Sequence, residues 1–161
     1  MRLWTTLTAA LAIAALAGCA SPAAFAPESS IVDVRAKVGT PTDIRFDRNG
    51  DELWEYARGP EGFETWVVRV GADGKVKDVS QILTDEQLAK IVPGTMTKAD
   101  VKNLLGRPSD ETFTGAGTVW SWRFKRFGVE PGHLLVTFNP DNTVKERIAI
   151  IDVSGGRNMD K

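Results

Sequence analysis

SIVDVRAKVGTPTD at residues 30–43 and TKADVKNLLGRPSD at residues 97–110 align without a gap at a spacing of 67 positions. Asp33 matches Asp100, Val34 matches Val101, Gly39 matches Gly106, Pro41 matches Pro108 and Asp43 matches Asp110, which reads as an internal duplication. The residue types that recur are those a short helix needs. A Ser or Thr followed three residues later by Asp is close to a capping box, whose side chains satisfy the first backbone N–H groups and suit the positive end of the helix dipole. Val34 with Val38, and Val101 with Leu105, are four apart and share one apolar face. Gly39 and Gly106 fit the left-handed position that ends a helix, and the proline two residues later prevents its resumption.

A polar loop is expected after each stop, and then runs of β-branched and aromatic residues separated by turn residues. In the first half these runs are LWEYAR (53–58), ETWVVRV (64–70) and KVKDVSQI (75–82), with a turn at 72–74; in the second they are VWSWRF (119–124), HLLVTF (133–138) and TVKERIAIID (143–152), with a turn at 139–142. The second half has an additional helical stretch, LTDEQLAKI (83–91), opened by Thr84 or Asp85 and closed by Pro93-Gly94. The expected fold class is α+β: two tandem repeats, one helix or two followed by a three-stranded antiparallel meander, at residues 29–82 and 83–154. Residues 155–161 read as a flexible tail.

The first 18 residues read as a secretory signal, with Arg2 as a small basic region before an apolar run too short to span a bilayer with confidence. Leu16-Ala17-Gly18-Cys19 resembles the bacterial lipobox, where a peptidase cleaves before an acylated cysteine. Cys19 is the only cysteine in the chain, and lipidation accounts for an odd thiol in a secreted protein. Several acyl chains hold far more firmly than one. Ala20 stands where Asp would resemble an inner-membrane retention signal, so the expected location is the outer membrane, lipid-anchored and facing the periplasm. Residues 19–28, rich in Ala, Ser and Pro, read as a lipidated tether.

Twenty basic against 21 acidic residues, with no basic run, supply no electrostatic attraction for nucleic acid. His133 is the sole histidine, and beside a Pro-Gly turn with no partner motif it reads as structural. With Cys19 consumed by lipid, no nucleophile motif remains, and neither nucleotide-binding nor zinc-binding spacing occurs, so no enzyme activity, cofactor, metal or small-molecule substrate is indicated. DRNGDE (47–52) lacks the ligand spacing of a calcium loop and reads as a turn with solvated carboxylates. The aromatics remain as candidates. Trp54, Tyr56, Trp66, Trp120, Trp122 and Phe127 lie on or beside the expected strands. Rings that point to the helices are core; rings that point away form a Trp/Tyr-anchored protein-binding surface.

PGTMTKADVKNLLGRP (93–108), followed by Trp120-Ser121-Trp122, resembles the SmpA/OmlA/BamE lipoprotein domain family, with an inserted Thr95. The resemblance implies a small α+β domain and, for the best-known member, an accessory role in the outer-membrane β-barrel assembly complex. Gly94, Thr97, Val101, Leu104, Leu105, Gly106, Pro108, Trp120 and Trp122 are the positions that match and define the fold. A tandem of such units is similar to the β-lactamase-inhibitor protein architecture, here without its disulfides. The expected function is that of a non-enzymatic outer-membrane lipoprotein that binds an envelope protein, the β-barrel assembly machinery among the candidates. The alternative is an anchored inhibitor or modulator of a periplasmic enzyme.

Overall fold

The computed structural model describes residues 20–57, 62–115 and 117–152; the expected signal sequence, Cys19 and the expected C-terminal tail lie outside them. In the first half, helix α1 (Ile31–Val38) precedes strands β1 (Asp43–Phe46), β2 (Glu52–Ala57), β3 (Thr65–Val70) and β4 (Val76–Gln81). In the second, helices α2 (Asp85–Ala89) and α3 (Lys98–Leu105) precede β5 (Asp110–Thr114), β6 (Gly117–Arg126), β7 (Glu130–Phe138) and β8 (Val144–Ile151). Each set of strands forms its own antiparallel sheet in sequence order. The sheets therefore have four strands, one more than expected. The added strands, β1 and β5, fall where polar loops are expected: β1 has only four residues, and all five residues of β5 are exposed, so no alternation of buried and exposed residues marks it.

The helix boundaries follow the capping chemistry. Thr97 and Asp100 complete a capping box on α3, with Thr97 N–H donating to Asp100 Oδ2 at 2.9 Å and Asp100 N–H to Thr97 Oγ1 at 3.3 Å. On α1 only half of this forms, the Ser30 hydroxyl accepting from Val32 N–H at 3.2 Å. Thr84 caps α2 by accepting from Gln87 N–H.

The halves repeat their joints as well as their elements. Ile31 N–H donates to Gly74 O, and Lys98 N–H to Asn142 O, so each capped helix is tied to the turn before its own last strand. Gly74 and Asn142 hold that turn with φ of 73° and 66°, a left-handed conformation that Gly and Asn tolerate. Both sheets shift register at the equivalent place, between Arg69 and Val70 and between Thr137 and Phe138.

Alternation along the strands places the cores. Val34 of α1 packs on Trp54, Tyr56, Val68, Val70 and Val76. Val101 and Leu105 of α3, with Leu88 of α2, pack on Trp120, Trp122, Phe124, Leu134, Val136 and Phe138. Trp120 meets Trp122 and Phe138 edge-on, with centroids at 5.9 and 4.9 Å, the geometry ring quadrupoles favour. Arg147 of β8 donates to the Leu88 carbonyl at 2.6 Å, which ties the end of α2 to its sheet.

The segment read as a tether is folded from its start. Ser21 caps a short 3-10 turn (Pro22–Ala24), Pro22 is buried, and Phe25 packs against the first core. Glu28 N–H donates to Val76 O, and Val76 N–H to Ser29 O, both at 2.8 Å. Its composition suggests a tether because Ala and Pro carry no periodicity, yet a partly buried ring and two backbone bonds dock it on the first unit.

Candidate protein-binding surfaces

The two units meet where the C-terminal end of α3 packs on the face of the β1–β4 sheet opposite α1. Glu55 of β2 lies on that face with a fully buried side chain. Arg45 Nη1 donates to its Oε2 at 2.6 Å, and the backbone N–H of Arg107 donates to its Oε1 at 2.8 Å. A buried carboxylate is tolerated only when its lone pairs are taken up in this way. Arg45 Nη2 also reaches the Asn103 carbonyl at 3.4 Å, and Lys102 pairs with Asp43 at 3.1 Å. A Cβ on Gly106 would stand 2.7 Å from the Glu55 carboxyl, so the residue that ends α3 must also be bare to admit Glu55. The first sheet thus lies between α1 and the C-terminal end of α3.

Two open cavities flank this seam. One, about 370 Å³, is lined by Thr42, Ala57, Gly62, Thr65 and Arg107–Ser109; the other, about 510 Å³, by Asp43, Lys102, Arg107–Glu111 and Trp120. Residues of both units line each. Phe63, from the β2–β3 connection, lies 4.3 Å from the Arg123 guanidinium of β6 and 5.7 Å from Lys125 Nζ, a second cation–aromatic joint between the units.

The second sheet has one face covered by helices and one largely open, where Phe63 of the first unit lies against Arg123. Trp120, Trp122 and Phe124 point to the helices; the alternate residues of β6, β7 and β8 make rows across the other side, Val119–Thr137–Glu146, Ser121–Leu135–Ile148 and Arg123–His133–Ile150. Ile148 and Ile150 are 42% and 48% exposed, and among the described residues no element lies over them. Next to this face the β6–β7 hairpin tip presents Phe127 and Val129, with Phe127 N–H fixed by Asp85 Oδ2 at 2.7 Å.

The structure separates the six candidate aromatics. Trp54, Tyr56, Trp120 and Trp122 are buried beneath the helices, Trp66 is half-buried against the first core, and Phe127 stands free at the hairpin tip. The alternation of Trp120, Trp122 and Phe124 thus marks the core, and the bare face is made of the residues between them. Its signal in the sequence was VKERIAII (144–151), where Ile148 and Ile150 recur at a spacing of two in an otherwise exposed strand.

The acidic turn at 47–52 is internally occupied. Asp47 Oδ1 accepts from the N–H groups of Asn49 and Asp51, Arg69 pairs with Asp47, and Lys77 pairs with Asp51 at 2.6 Å. Desolvation pushes the Asp47 carboxyl up, but these backbone bonds and the charges of Arg69 and Lys77 outweigh it and hold its pKa below the ordinary value. His133 sits on the bare face with Nε2 3.5 Å from Asp152. Among the described residues no cluster of three potential metal ligands occurs, and no helix is long and apolar enough to cross a membrane.

The second unit is thus of a definite class, an α+β domain in which two short helices cover one face of a four-stranded meander and no helix covers the other. Residues 80–147 match the family model of the outer membrane protein assembly factor BamE domain. The match runs from the end of β4 into β8 and so coincides with the second unit. No curated protein and no solved structure matches the chain.

Proposed function

We propose that this chain is a lipid-anchored outer-membrane protein that serves outer-membrane protein assembly as a non-enzymatic binding partner, with the bare face of the BamE domain as its docking surface. The observation that carries this reading is the coincidence of the BamE match with the unit whose sheet is half uncovered. Leu135, Ile148 and Ile150 supply an apolar centre, and Arg123, His133 and Glu146 a polar rim, the composition of a partner-binding patch. The first unit, with the same helix-to-turn joints but one α-helix where the second has two, is a second copy of this plan outside the span of the family match. Affinity capture from crosslinked cells tests the reading. β-Barrel assembly subunits should be recovered with the wild-type protein and depleted with an Ile148→Glu/Ile150→Glu variant that folds normally. Recovery of none of them, together with an intact permeability barrier in a deletion strain, would overturn it.

The second reading, a modulator of a periplasmic enzyme, draws on the seam cavities. They are lined by both units, as in a tandem inhibitor, and Arg107 projects there without an ion pair among the described residues. Under this reading Arg107→Glu, and not the Ile148 and Ile150 changes, abolishes binding to a soluble enzyme.

A further inference from the structure

The site of lipid attachment adjoins the folded body with almost no slack. Cys19 immediately precedes Ala20, and consecutive Cα atoms are about 3.8 Å apart. From Ser21 onward the chain is committed: the 3-10 turn is capped, Pro22 is buried, Phe25 packs against the first core, and residues 28 and 29 are bonded to Val76. Ala20 emerges beside α1, since Ala20, Phe25, Asp33 and Lys37 line one shallow depression. On α1, Val34 and Val38 face inward. Val32, 70% exposed, and Ala36 face outward one turn apart, with Arg35 and Lys37 on either side. Neither cation is in an ion pair among the described residues, and Lys37 lies over the Phe25 ring at 5.8 Å. The nearby acids are Asp33 and Glu28, and Glu28 is already paired with Lys75.

We infer that the outward side of α1 rests on the membrane leaflet that holds the acyl chains of Cys19, and that the layered body stands on it as a spacer. This rests on the lipid-anchored reading proposed above. The occupant of this face is a bilayer surface because the anchor leaves no length in which to turn the body away, and because the face offers apolar atoms flanked by unpaired cations to a polar headgroup layer. With α1 down, the first sheet stands between the leaflet and the C-terminal end of α3, so the first unit holds the second away from the membrane.

Single introduced cysteines test this, because Cys19, the only native thiol, is blocked by lipid. Full-length Val32→Cys, Ala36→Cys and Ile150→Cys variants are labelled with a fluorophore and reconstituted into phosphatidylethanolamine/phosphatidylglycerol vesicles that carry a nitroxide on the headgroup. Labels at 32 and 36 should be quenched several-fold more than the label at 150. A 20-residue Gly-Ser insertion between Ala20 and Ser21 should at least halve that difference. Equal or reversed quenching, an unchanged pattern after the insertion, or shielding of residue 32 that depends on protein concentration and so reports a second copy on α1, would each overturn the inference. Wild-type protein that fails to float with the vesicles refutes the anchored reading and this inference together. Protein that floats without graded quenching refutes this inference alone.

Discussion

Gly106 meets two demands at once, and the comparison with its counterpart separates them. Gly39 and Gly106 both end a helix with positive φ, 101° and 75°, but a Cβ at Gly39 would meet open space whereas one at Gly106 would meet Glu55. Gly39→Ala should cost about 1 kcal/mol from backbone strain alone. Gly106→Ala should cost clearly more, because it also displaces a buried, ion-paired carboxylate; chemical denaturation of the two variants side by side measures the difference, and equal losses would remove Glu55 from the account. Glu55→Gln keeps the shape and removes the charge opposite Arg45, whose side chain is 13% exposed. Breaking one partner of such a pair is expected to destabilise by about 3 kcal/mol, read as a fall in the urea midpoint. The glycine was legible in the sequence as a helix stop. Its second duty was not, because Glu55 lies 52 residues from Arg107 and nothing local to LWEYAR marks that glutamate as buried.

The capped start of α3 predicts a dependence on pH. The Thr97 hydroxyl, and after it the Thr97 backbone N–H, donate to Asp100, and both bonds favour the ionised form and hold its pKa below the ordinary value. Asp141 is lowered in the same way by the hydroxyl and N–H of Thr143, at the turn that receives α3. A depressed folded pKa means that the unfolded chain binds the proton more readily. The stabilisation is therefore full above the ordinary carboxylate range and is lost as pH falls through the depressed folded values. Urea midpoints should drop between pH 6 and pH 3, and Asp100→Asn should reduce that slope; an unchanged slope would exclude the box as a contributor. Thr97→Ala should cost about 1 kcal/mol at neutral pH. Ser30→Ala should cost less, since α1 has only half of the box. The longer strands with apolar or aromatic runs were legible, and β1 and β5 were not, because β1 has only four residues and β5 is exposed throughout, so neither carries a run long enough to mark it.

At the scale of the molecule, α3 joins the two units: one side lies in the second core, and its C-terminal end holds the first sheet through Glu55, Arg45 and Lys102. The units should therefore unfold as one, with calorimetric and van't Hoff enthalpies that agree; two separated transitions would mean that the seam contributes little. Cys19→Ser should move the protein from the membrane fraction to the soluble fraction, and protein that still sediments with membranes would refute acylation as the anchor. Both outcomes bear on function. Under the proposed anchoring, a coupled body presents one defined surface to the periplasm, whereas loosely joined units would present several.

The sequence by itself determined what depends on neighbours within a turn or a strand: three helix caps, two glycine-proline stops, and six strands with alternating or β-branched residues. The 14-residue repeat carried most of this, and its second copy carried the family signature, since those residues answer to backbone geometry that is local. Only the tertiary structure decided which side of each alternation is buried, so that Trp54, Tyr56, Trp120 and Trp122 fill cores while Ile148 and Ile150 remain uncovered. It also decided that residues 20–29 dock instead of tethering, and that Glu55 closes the seam. A strand pattern states that two faces differ and is silent on which partner covers each; that is settled by contacts between residues far apart in the chain.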